Sequence, residues 1–138
     1  TREWIALRPA HGRPLLLPSW IREEPFARHW LAEAAMLVTT WGVTCYEALF
    51  WGTPALMLSQ TAATAQDALR LAEASHGAVL TGGVLETLLP QVLRRIVEDL
   101  CQNPARRQLM HDASIGLLDG QGAVRAAHAI LTLTTETK

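Results

Sequence analysis

Three short apolar runs constrain this chain more than any other feature. They occupy residues 36–39, 55–59 and 78–80, and each is set off by glycine, proline or polar residues. Runs this short are too brief for buried helices and read as strands covered on both faces. Between them, residues 44–51 and 64–75 have helical character; Gly52 closes the first and Gly77 breaks the second. Strands that alternate with helices pair in parallel, and their crossovers lay helices against the sheet. The expected fold class is α/β: a Rossmann-like parallel sheet with helices on both faces.

The remaining segments fit this frame. Residues 4–7 and 14–18 are short apolar runs around a turn-like stretch at 10–13. Residues 25–33 read as a helix, with Pro25 in its first turn and Phe26, Trp30 and Leu31 at near-helical spacing. In the helix over 64–75, Ala68, Leu69, Leu71 and Ala72 are expected to face inward, with Thr64 and Asp67 as an N-cap arrangement. Gly82-Gly83 reads as a turn. Leu85, Leu88, Leu89, Val92, Leu93, Ile96, Val97 and Leu100 then follow helical spacing, and Pro90 fits if that helix starts near Thr87. Asn103 and Pro104 form a cap and first position for a helix running to about Leu118. Asp119-Gly120 ends it, a last helix covers 122–133, and residues 134–138 read as a frayed tail. At 138 residues, the chain suits one domain, placed at 1–133.

Composition excludes several classes. The net charge is −1 and no basic stripe appears, which argues against a nucleic-acid partner. No apolar run approaches the roughly 20 residues of a membrane span, and the start lacks the pattern of an export leader. The chain opens on Thr1, which reads as a cut point inside a longer protein or a processed end. Cys45 and Cys101 stand far apart, without a Cys/His cluster, so no metal is expected and a cytoplasmic chain with two reduced thiols is. His11, His29, His76, His111 and His128 are scattered, none at ligand spacing from another. No self-contained catalytic set appears, and no cofactor is called for.

The chemistry concentrates in TTWGVTCYEALFWGTP, residues 39–54. A loop leaving a parallel strand lies where ligands bind in open α/β sheets, and a helix start above it offers free N–H groups to an anion. Gly42 would let the backbone approach a phosphate. Yet Thr44 and Glu47 also match a capping box, in which Glu47 bonds back to the helix start and needs no ligand. Gln66, after the next strand, would line the same crevice or sit in solvent. Trp41 lies within the loop, where it could cover a ligand or block it.

The order Ala34-Ala35, strand, Gly42-x-Thr44, Glu47, Gly52-x-Pro54 resembles the C-terminal half of GT-B-fold sugar-nucleotide enzymes. The family that looks most similar contains the UDP-sugar hydrolases of the pseudaminic acid pathway and the related spore-coat polysaccharide proteins. More distant are the lipid-II-forming N-acetylglucosaminyltransferases. Asp119-Gly120-Gln121-Gly122-Ala123 matches that family's closing element. The resemblance implies a bacterial nucleotide-sugar-binding domain. Gly42, Val43 and Thr44 would hold the diphosphate, Glu47 the ribose and Gln66 the sugar or phosphates of a UDP-sugar. It also implies a missing N-terminal GT-B domain that supplies the catalytic groups, so the isolated chain is expected to be inactive. Trp41 stands where the family has glycine, and Ala65 where it has Asn, Asp or His. These departures leave a second expectation open, a degenerate, non-catalytic GT-B-like interaction module.

Overall fold

The computed structural model describes residues 4–8 and 17–135. The strands are β1 (Trp4–Arg8), β2 (Ile21–Pro25), β3 (Leu37–Thr40), β4 (Ala55–Ser59) and β5 (Val79–Val84). The helices are α1 (Arg28–Glu33), α2 (Val43–Trp51), α3 (Ala62–Ala74), α4 (Pro90–Gln102), α5 (Pro104–Ser114) and α6 (Gly122–Thr135).

The main sheet is parallel, in the order β3-β4-β5, with Leu37 opposite Ala55 and Ala55 opposite Val79. All of β4 is buried, as its unbroken apolar run requires. Its side chains alternate between two cores. Ala55 and Met57 pack with Cys45, Ala48 and Leu49 of α2 and Ala68 of α3. Leu56 and Leu58 pack with Leu100 of α4 and Met110 of α5. Two successive crossovers in one direction place α2 and α3 on one face, since such connections are right-handed. The chain then passes over to lay α4 on the other. The mixed α/β class and the helices on both faces of the main sheet therefore agree with the sequence.

The sheet itself is divided. Among the described residues, β1 pairs only with β2, in parallel, with Trp4 opposite Ile21 and Arg8 opposite Pro25. The pattern IREEP carries one aliphatic residue and shows no alternation, so β2 was invisible to periodicity. It is held by its ladder to β1 and by Arg22, which bonds Glu24 at 3.0 Å and lies 5.5 Å from the centre of the Trp30 ring. Pro25 accordingly ends a strand instead of opening a helix, and α1 starts at Arg28.

Other boundaries shift for identifiable reasons. Gly82-Gly83 does not form a separate turn but lies within β5, beside a register shift between Met57 and Ser59. Gly83 has φ +86°, and a Cβ on Gly82 would come within 2.7 Å of Leu58, so the glycines serve an irregular strand packed close to its neighbour. Helix α4 begins at Pro90 itself, capped by Leu89, because proline is best tolerated at the first position. Asn103 caps α5 as expected, its Oδ1 accepting from the Arg106 N–H at 2.9 Å, but α5 stops at Ser114. Leu69 is 49% exposed instead of inward, because Ala68, Leu71 and Ala72 define the buried face of α3. Helix α6 runs to Thr135. The expected turn at 10–13, residues 14–16 of the second apolar run, His11, Thr1 and residues 136–138 lie outside the described residues.

No helix among the described residues is long and apolar enough to cross a membrane. Cys45 and Cys101 are not joined to each other in a disulfide.

Candidate functional site

The parallel register sends the carboxyl ends of β3, β4 and β5 to one edge of the main sheet. The loop from β3 to α2 leaves that edge. Its backbone is anchored: the Trp41 N–H donates to Leu58 O at 2.8 Å, extending the ladder past β3. The Cys45 thiol reaches Thr40 O at 3.6 Å and ties the helix start to the strand end. Burial pushes the Cys45 thiol pKa up, so it stays protonated and acts as a packing group.

Gly42 is the N-cap of α2, and its φ of 162° is ordinary extended backbone. No side chain caps this helix. The expected capping box is therefore not formed. With Gly42 at the cap, Thr44 falls at the second helical position and Glu47 is too far along to reach back. The capping box forms instead at α3. Thr61 Oγ1 accepts from the Thr64 N–H at 3.2 Å, and Thr64 Oγ1 accepts from the Thr61 N–H at 3.1 Å. Thr64 is thus the third helical residue, not the cap expected with Asp67. Asp67 instead meets Arg70 at 3.2 Å. Thr61→Ala is expected to cost about 1 kcal/mol of stability and Thr44→Ala less than about 0.5 kcal/mol, read by urea unfolding. Equal losses would restore the box at α2.

Glu47 is thereby left for other work. It lines a cleft of about 1090 Å³ together with Thr40 and Thr44. Its carboxylate lies 4.0 Å from Arg28 Nε, with the Glu47 side chain 28% exposed and that of Arg28 80% exposed. A contact this open adds little to stability but sets an exposed cation beside a partly buried carboxylate. The sequence reading missed Arg28, because nothing in its spacing links the start of α1 to the middle of α2.

Trp41 turns away from the cleft. It packs against the same core as Leu37 and stands edge-on to Tyr46, ring centres 6.0 Å apart. It borders instead a shallow depression with Asp67, Arg70 and Leu71. Space above Gly42 is open to any side-chain-sized group from beyond its chain neighbours, and Val43 is 75% exposed. Gln66 sits exposed on α3 and does not line the cleft, so the structure does not bring it to Thr44 and Glu47. At the end of β4, the Ser59 hydroxyl is buried with no partner among the described residues. It is a second polar group at the carboxyl edge, and its only sequence signal is a serine closing an apolar run.

The Asp119-Gly120-Gln121-Gly122 element serves α6. The Asp119 carboxylate accepts from both Arg125 terminal nitrogens, at 2.6 and 3.1 Å, and from the Gln121 N–H at 2.9 Å. The Arg125 bonds, then the Gln121 N–H, hold the Asp119 pKa down at about 2. Among the described residues, no group of three His, Cys, Asp or Glu side chains gathers to hold a metal.

The arrangement can receive an anion at an uncapped helix start and hydrogen-bond hydroxyls through Glu47. Comparison with protein families, curated proteins and solved structures finds no match to this chain.

Proposed function

We propose that this chain is the donor-binding domain of a sugar-nucleotide hydrolase or glycosyltransferase-like protein, and that its ligand is a UDP-sugar. The observation that carries this reading is the position of Glu47. It is released from capping, partly buried, and set in a cleft beside Thr40 and Thr44 at the carboxyl end of a parallel strand. In this reading the N–H groups at Gly42, Val43 and Thr44 face the diphosphate, where the α2 dipole favours negative charge. Glu47 accepts from the ribose hydroxyls, and Arg28 offsets the charge of both. Trp41 packs on the protein side of the loop, which leaves the phosphate approach clear. The reaction is attack at the anomeric carbon with UDP departing, eased by the same dipole. Catalytic groups come from an N-terminal GT-B domain across the cleft. Exposed apolar residues on α6, among them Val124, Ile130, Leu131 and Leu133, offer such a domain a surface.

An NMR titration with UDP tests this. Amide shifts centred on Gly42–Glu47 are expected, and Glu47→Ala should weaken binding at least about tenfold, the value of one or two charged hydrogen bonds. Its unfolding midpoint should stay near that of the parent chain. Absence of shifts at millimolar UDP would sink the reading. The exposed, separate position of Gln66 favours the second reading, a GT-B-like module that has lost donor binding and serves interaction alone. Shifts at the loop that are indifferent to Glu47 would point there.

A further inference from the structure

Helix α6 lies outside both cores. Residues 122–134 are all exposed, with Val124 at 52%, Ile130 at 62% and Leu131 at 64%. One side of this helix is symmetric about its middle. Ala123 and Val124 come four and three residues before Ala127, and Ile130 and Leu131 come three and four after it. On a helix these five positions share one face. We propose that this face pairs with the same face of a second copy of the chain, antiparallel, about a two-fold axis at Ala127.

Three observations specify a copy as the occupant. The first is self-complementarity. A two-fold at Ala127 sets Val124 opposite Ile130 of the copy and Ala123 opposite its Leu131. The bulkiest residue thus meets the smallest, and alanine on the axis lets the helices approach to about 8–10 Å. An isologous interface requires this pattern, since each residue must suit both its own partner and the copy's.

The second is polarity. Arg125 and Thr132 lie on the opposite side of the helix from Ala127. Arg125 is held by Asp119 at 2.6 and 3.1 Å, and α6 carries no acidic residue. Thr134 borders the apolar face, but its hydroxyl donates to Leu131 O at 2.8 Å within the helix. Pairing therefore buries no unpartnered charge.

The third is area. The apolar surface continues past the foot of α6, where the Phe50 ring lies 3.2 Å from the position of a Cβ on Gly120 and stands edge-on to Trp51, ring centres 5.4 Å apart. Both rings are nearly half exposed. The same two-fold brings Thr134 of the copy opposite Gly120, so the end of one helix reaches Phe50 of the other chain. With Val124, Ile130, Leu131 and the two alanines, this surface offers roughly 650 Å² per copy, within the roughly 600–1,000 Å² that stable dimers bury on each partner. It also exceeds the roughly 300–600 Å² of the largest apolar patch on an ordinary monomer. The GT-B domain proposed above would compete for α6, and a monomeric chain is the outcome that leaves the face to it.

Sedimentation of the full chain at about 100 µM tests the proposal and should give twice the chain mass. Leu131→Glu places a charge in the paired face and should return the mass to that of a monomer at the same concentration. Leu131 is exposed, so the circular dichroism and urea midpoint of this variant should match the parent. Ala127→Cys reads the symmetry. A residue on the axis lies within disulfide reach of its own copy, with Cα atoms about 4.4–6.8 Å apart, so this variant should oxidise to a covalent dimer. Ala129→Cys, on the far side of the helix, should cross-link at least about tenfold more slowly. The parent, with only Cys45 and Cys101, sets the background. A monomeric parent, a dimer that survives Leu131→Glu, or equal cross-linking at 127 and 129 would overturn the proposal. None of these readouts depends on UDP, so failure here is distinct from failure of the donor-site reading.

Discussion

Gly52→Ala should lower the unfolding free energy by roughly 2–4 kcal/mol, among the largest single effects in this chain. Two terms combine. Gly52 has φ +71° at the end of α2, a left-handed conformation that costs a residue with a Cβ about 1–2 kcal/mol. That Cβ would also lie 2.6 Å from His111 Nδ1 and 2.9 Å from Ile115 Cδ1. His111 would have to move, and its 2.8 Å hydrogen bond with Gly52 O would be lost, for about another 1 kcal/mol. Urea unfolding measures the loss, and the double variant with His111→Ala should be less than additive, since the clash is shared. A Gly52→Ala chain within about 0.5 kcal/mol of the parent would remove both arguments. The site depends on this turn. Gly52 ends the helix that carries Thr44 and Glu47, and the Thr53 hydroxyl donates to Leu31 O, tying the turn to α1.

Leu56→Ala should cost about 3 kcal/mol, the middle of the range for truncating a buried leucine. Leu56 is fully buried on β4, the middle strand of the main sheet, against Leu58, Leu100 and Met110. A cavity there has sheet on one side and α4 on the other, and neither can collapse without breaking strand pairing. Leu69→Ala is the matched comparison. Its side chain is 49% exposed on α3, so the same change should stay within about 0.5 kcal/mol. Equal losses at the two sites would mean that the buried faces of β4 and α3 are wrongly assigned.

The pair also marks how far periodicity reaches. The spacing of Ala68, Leu69, Leu71 and Ala72 admits an inward stripe containing Leu69, but helix rotation against β4 and β5 selects the edge with Ala68, Leu71 and Ala72. The run at 55–59 admits no such choice, because every residue in it is apolar or small, and the strand is buried on both faces. At the candidate site, the strand-loop-helix order was readable, since a glycine between an apolar run and a helical segment is a local signal. The pairing of Glu47 with Arg28 was not, because it joins α2 to α1 through space. The capping box was misplaced by the same limit. Thr44-x-x-Glu47 matches the pattern, but Gly42 takes the cap and shifts the helix frame.

By itself, the sequence determined the alternation of strands and helices, the parallel pairing that helical crossovers impose, and the helix caps at Asn103 and Gly52. These follow from interactions among near neighbours, where side-chain volume, proline and glycine act directly on the backbone. Only the tertiary structure decided that the strands form two sheets, that charged β2 joins one of them, that Trp41 turns into the core, and that Glu47 meets Arg28 beside a cleft. Those outcomes depend on which surfaces remain to be covered once the local elements exist, a competition for burial and hydrogen bonds that no single segment records.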